Sequence, residues 1–278
     1  MPEIHHFAYG WFNPALAYVL AFTGSFTGLV CTARARQAGT RARRARWLVL
    51  GSLAIGGAGI WLMHFMAMLG FDIPASQVRY EPVTTAASLA FAVVAVGFGL
   101  FFVGTGRRRL AKIPVGGVFT GTGVVAMHYT GMYAMRVSGQ ISYDQGLVLA
   151  SVVIAVVAAT VALWFTVVVQ GWRALLAASA IMAVAVCGMH YTAMAALRVQ
   201  LDSSAAPVVG MTPALLIVPI FLIAALGLLG MFVSALQAMT QEEFSRGPHE
   251  VAAAAASQAV VHVPQPRAAQ QAVPPHRR

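Results

Sequence analysis

The chain has 278 residues, of which 59% are hydrophobic and only 9% charged, whereas a soluble domain carries about 25% charged residues. With a mean hydropathy of +0.75, this excludes a water-soluble globular domain and predicts an integral membrane protein. The net charge of +10 is no nucleic-acid footprint, because the basic residues stand in short segments between apolar runs, where they report topology.

A membrane-spanning helix needs about 20 mostly apolar residues. Seven runs qualify, at 13–32, 47–71, 83–103, 114–135, 145–170, 174–197 and 212–239. They predict an all-α fold, a polytopic membrane bundle of seven transmembrane helices built as three two-helix repeats plus one helix. The first twelve residues hold no Lys or Arg, so no cleavable signal peptide is expected. Pro114 and Pro213 fall in expected first turns, where a missing N–H is harmless, and Pro219 should kink the seventh run. Gly-rich stretches at 51–59 and 116–123 predict close helix approach.

The connecting segments set the orientation. Arg34, Arg36, Arg41, Arg43, Arg44 and Arg46 fall in the first, Arg107, Arg108, Arg109 and Lys112 in the third, and Arg173 in the fifth. Arg79, Arg136 and Arg198 fall in the second, fourth and sixth. The positive-inside rule then places the N-terminus outside and the C-terminus in the cytoplasm. The organisation expected is a sensor domain over 7–200, an outer loop and seventh helix over 201–240, and a disordered cytoplasmic tail over 241–278, rich in Ala, Pro, Gln and Val.

One tetrapeptide organises the chain. Met127-His128-Tyr129-Thr130 recurs as Met189-His190-Tyr191-Thr192 and, more loosely, as Met63-His64-Phe65-Met66, with the histidines 64 and 62 residues apart. Each copy has a methionine four residues after its histidine (Met68, Met132, Met194) and a small residue at the third place (Ala67, Gly131, Ala193). Fixed-period self-similarity marks a repeated structural unit. Helices two, four and six run in the same direction and carry the motif near their outer ends, so the three histidines should lie at one depth.

An imidazole inside a membrane is a functional candidate by default, and residues four apart share a helix face. His64, His128 and His190 are therefore the candidate metal ligands, with Met63, Met68, Met127, Met132, Met189 and Met194 in support. His5 and His6 are possible additional ligands or simply a solvated terminus. Neutral imidazole with thioether is a soft donor set that favours copper, especially Cu(I). Zinc more often takes Cys, His and carboxylates, and haem, whose axial ligands include His and Met, competes.

The alternative is packing, in which methionines fill core space and each histidine bonds a hydroxyl such as Thr23, Thr27, Thr130, Thr192, Tyr129, Tyr133 or Tyr191. Cys31 and Cys187 are expected to be small packing residues. All eight carboxylates fall in connections or tails, which argues against a carboxylate proton relay. Asp72, Asp144 and Asp202 follow the three motifs and would either orient imidazoles or stand in water. No nucleophile, phosphate-loop or zinc-hydrolase motif is present, so no catalytic residue is expected and the chain is not read as an enzyme.

At these residues the chain resembles the MHYT sensor-domain family. The likeness rests on the three motif segments, on Phe12-Asn13-Pro14 and on Ser25-Phe26-Thr27, and covers about residues 7–200. It implies a multi-pass sensor of the bacterial inner membrane that binds copper near the outer face and senses a diatomic gas (O2, CO or NO). Family members often carry a cyclic-di-GMP enzyme domain or a histidine kinase after the membrane part. This chain shows neither, so the expected partners are the lipid bilayer and a separate cytoplasmic or membrane protein, and not nucleic acid. Copper delivery or transport, and a haem-binding sensor, are the rival readings.

Overall fold

Six helices long and apolar enough to cross a membrane are present among the described residues. The computed structural model describes residues 8, 10–74, 76–106, 109–202 and 207–216, with single helical positions at 218, 222, 225, 226, 229 and 230. The helices lie in one unit, 1–229. Of the second unit, 230–278, Gly230 alone is described. The tail expected at 241–278, the kink at Pro219, and His5 and His6 lie outside the described residues. Within the seventh run, 213–216 are helical and Pro213 stands at the first position, as expected.

The first span is α1 (Phe12–Gln37). The second is one rod in three parts: α2 (Arg41–Ser52), a π-helical segment (Leu53–Leu62) and α3 (Met63–Met68). The remaining spans are α4 (Pro82–Gly104), α5 (Arg109–Ala134), α6 (Gln145–Val168) and α7 (Trp172–Ala195). The π-helical segment was not legible in the hydropathy. Such segments are rare and frequent at functional sites, and this one runs straight into the first motif.

The helices reach further than the apolar runs. Arg34 and Arg36 stand in the last turn of α1, and Arg41, Arg43, Arg44 and Arg46 belong to α2. The first connection is thus only a short turn, and long basic side chains extend from helix ends toward water. Arg36 donates to the carbonyls of Thr166 and, at 2.7 Å, Val169, closing the end of α6. Pro114 is not in a first turn. It lies inside α5, whose described residues begin at Arg109.

Glycine lets the helices meet backbone to backbone. α1 packs on the π-helical segment, α4 on α5, and α5 on α6. A Cβ at Gly24 would run into the backbone of Gly59, one at Gly56 would stand 2.7 Å from Ala92 O, and one at Gly121 2.6 Å from Val156 Cα. Without water to solvate them, helices in lipid associate by such close packing.

The second, fourth and sixth connections are paired strands rather than plain loops. β1 (Arg79–Tyr80) lies antiparallel to β2 (Met135–Arg136), and β3 (Gly139–Tyr143) to β4 (Leu197–Leu201). Tyr80 also exchanges backbone hydrogen bonds of 2.9 and 2.8 Å with Met211. Backbone groups leaving a helix need partners, and here three connections supply them to one another. The strands cap the end of the bundle that holds the motifs.

Candidate metal centre

Each motif segment reaches the same point from a different helix. His64 stands on α3, His128 on α5 and His190 on α7, with exposures of 0, 1 and 2%. Their centroids lie 4.8, 5.0 and 5.2 Å apart, and the rings meet edge to face at 75–79°. The aromatic residue after each histidine repeats the pattern: Phe65, Tyr129 and Tyr191 stand 4.7, 5.0 and 4.9 Å from their neighbours. The sequence repeat is therefore an approximate three-fold arrangement in space.

His64 Nδ1 lies 3.1 Å from His190 Nδ1. A neutral imidazole has one N–H and one bare nitrogen, so in a hydrogen bond between them one ring donates and the other accepts. His64 Nε2 and His128 Nε2 are buried with no hydrogen-bond partner among the described residues. Leaving such a group unmet costs about 1–3 kcal/mol each.

Several contacts hold the triad in place. Trp61 Nε1 donates to Ser88 Oγ at 3.0 Å, pinning the first motif segment to α4. Asn13 Nδ2 donates to Met66 O at 3.2 Å, tying in α1. Gly131 gives the His64 ring room against α5, since a Cβ there would stand 2.5 Å from His64 Nε2. Sequence reasoning marked the small residue at this position but not what fills the space.

Three of the hydroxyls offered by the packing alternative turn elsewhere. Thr27 donates to Thr23 O, Thr192 to Gly188 O, and Tyr129 pairs with Ser151 Oγ at 3.1 Å. The departure at Phe65 has a local reason: its ring is fully buried between Trp61 and Tyr80, at 4.8 and 6.0 Å.

Asp144, the acid after the second motif, is engaged away from the triad. Asp144 accepts from Gly146 and Leu147 N–H at 3.0 and 3.2 Å and pairs with Arg198 at 3.0 Å. These bonds, that of Leu147 first, hold its carboxyl below the ordinary range. Among the described residues no carboxylate or thiol joins the histidines.

The group fits a metal ion. One ligand nitrogen from each ring lies within 4.8 Å of the others, and an ion bound at about 2.0–2.1 Å spans nitrogens up to about 4.2 Å apart, so a small ring movement closes the set. The six methionines on the same segments are 1–3% exposed.

Three stretches of the chain, 57–116, 121–179 and 184–243, match the family described as MHYT, "Bacterial signalling protein N terminal repeat". The chain belongs to the MHYT family. It is 36% identical over 194 residues to the bifunctional diguanylate cyclase/cyclic di-GMP phosphodiesterase MucR of Pseudomonas aeruginosa, covering 68% of this chain and 28% of that protein. The cyclic di-GMP phosphodiesterase NbdA of the same organism is 36% identical over 191 residues, covering 66% of this chain and 24% of that one. The signaling protein YkoW of Bacillus subtilis is 31% identical over 205 residues, covering 71% and 25%. This MHYT chain thus spans about a quarter of the length of these curated relatives. No solved structure matches it.

Proposed function

We propose that this MHYT chain is a non-catalytic sensor of the bacterial inner membrane that binds copper through His64, His128 and His190 and senses O2, CO or NO. The observation that carries the reading is the convergence of three buried imidazoles, two with a nitrogen lacking a partner among the described residues. A soft, uncharged nitrogen set suits Cu(I), and the buried Met63, Met68, Met127, Met132, Met189 and Met194 are its supporting thioethers. Copper held there would supply an open coordination position for a diatomic ligand.

The chain's own residues position the set. The π-helical segment and the Trp61–Ser88 bond deliver His64, Gly131 leaves its ring room, and the paired strands cover the motif end. A haem reading fits less well, since centroids 4.8–5.2 Å apart leave no slot for a macrocycle between the rings. With the positive-inside orientation, the triad lies near the outer face and the signal leaves through the basic inner helix ends.

Elemental analysis of the detergent-purified chain, beside a variant with His64, His128 and His190 changed to alanine, tests the proposal. Near-stoichiometric copper in the parent, lost from a variant of unchanged helical content, is the expected result. No metal in either after anaerobic Cu(I) loading would overturn it.

A further inference from the structure

The bundle is not filled directly beneath the triad. A cavity of about 70 Å³ lies there, lined from the π-helical segment and from α1, α4, α5, α6 and α7. Ile60, Val124 and Val186 all line it. Each stands four residues before a motif histidine, and residues four apart share a helix face. The cavity thus sits one turn deeper than the three rings, on their own faces, and Met189 beside His190 also reaches it.

The lining is mostly apolar, with Ser25, Thr120 and Thr166 supplying its hydroxyls. α6 contributes alanines and α7 contributes Met182. Two of the hydroxyls on the wall are already used: Thr120 donates to Ala95 O at 3.4 Å and Thr166 to Leu163 O at 2.6 Å. A buried water needs two to four polar partners, whereas a dry apolar cavity of about 150 Å³ takes up xenon or benzene. At the seam of α6 and α7, the lining residues Ala158, Ala162, Ala185 and Val186 are only half-buried. Both helices are long and apolar enough to span a membrane, so this seam faces hydrocarbon.

We infer that the cavity is a binding site for a small apolar gas, which enters from the lipid between α6 and α7 and is held one helical turn beneath the triad. The inference rests on the reading of the triad as a gas-binding centre. The volume, about that of a few small molecules, is far too small for a lipid tail.

Xenon is the probe, read by xenon-129 NMR on the full chain in lipid nanodiscs without metal. Saturable binding is expected in the parent. Ala159→Leu fills the cavity and is expected to lower it about fivefold or more, while Met182→Ala enlarges the cavity and raises it. Val157→Leu, on the exposed face of α6, is expected to leave it unchanged. Circular dichroism confirms folding of each, and Met182→Ala keeps the test open should Ala159→Leu fail to fold.

No saturable xenon in the parent, or parental binding in a folded Ala159→Leu, would overturn the inference. So would a lipid that native mass spectrometry finds held by the parent and released by Ala159→Leu. The triple-alanine triad variant is expected to keep saturable xenon binding, at least at the parental level, since truncation beside the cavity only adds space. Absence of metal therefore fails the triad reading alone, and absence of xenon fails the cavity alone.

Discussion

The imidazole of His64 occupies the space that a side chain at Gly131 would need: an added Cβ would lie 2.5 Å from Nε2 and 3.1 Å from Cδ2. The ring cannot swing away freely, because Phe65, His128 and His190 stand around it at 4.7–5.0 Å. Gly131→Ala should therefore move His64 and weaken metal binding about tenfold or more, in the range seen when the groups orienting metal ligands are lost. Gly188→Ala is the control, since nothing lies within 4 Å of a Cβ there. Metal titration with thermal unfolding checks the pair. Equal affinities would mean that the ring position does not matter.

The tyrosine of the second motif holds helices rather than metal. Its hydroxyl meets Ser151 of α6 at 3.1 Å, while Ser151 also donates to Val148 O at 2.7 Å. Tyr129→Phe should cost about 0.5–1.5 kcal/mol, the net value of one hydrogen bond, and leave metal affinity within about twofold on the same ground. A large loss of metal would place the hydroxyl in the site after all.

Much of this was readable in the sequence, and the physical boundary is clear. Hydropathy found the six described spans, because crossing lipid demands length and apolarity. Loop charge and motif spacing put His64, His128 and His190 at one depth. Depth is a single coordinate, however, and convergence also needs the azimuth of each helix, which the close contacts at Gly24, Gly56 and Gly121 set. The π-helical segment is a choice of backbone hydrogen bond that hydropathy does not register; its one trace was the run Gly56-Gly57-Ala58-Gly59. β1 and β2 are two residues each and pair across more than 50 positions, so no local alternation could announce them.

The cap over the motifs should respond to acid. Asp144 accepts the free N–H groups at the start of α6, and Glu81 does the same for α4 through Val83 and Thr84 N–H at 3.0 and 2.6 Å. The Thr84 hydroxyl first, and then these N–H groups, hold Glu81 below the ordinary range, as Leu147 N–H and Arg198 hold Asp144. A carboxyl lowered on folding stabilises above its unfolded value, near 4 for these acids, and the contribution is lost as pH falls through the lowered value. Amide exchange at 83, 84, 146 and 147, corrected for intrinsic rates, should be flat from pH 7 to about 5 and rise below about 4. Asp144→Asn keeps the cap and should remove the pH step at 146 and 147. A step that persists would assign it to another group.

The contact of α1 with the π-helical segment is asymmetric, which makes a sharper test. A Cβ at Gly24 would overlap Gly59 N and stand 2.7 Å from Ala54 O, all backbone, whereas a Cβ at Gly59 would come no closer than 3.4 Å, to Ser25 N. Backbone cannot turn aside as a side chain can, so Gly24→Ala must push α1 away from the segment that carries His64. Overpacking of this kind costs about 1–3 kcal/mol, and the first motif should lose its register with the other two. Gly59→Ala asks for little movement and should be nearly neutral in stability and in metal binding. Thermal unfolding and metal titration of the two variants settle the matter. Equal damage from both would show that the π-helical segment yields as a whole, and that its backbone is not the fixed surface on which the triad is built.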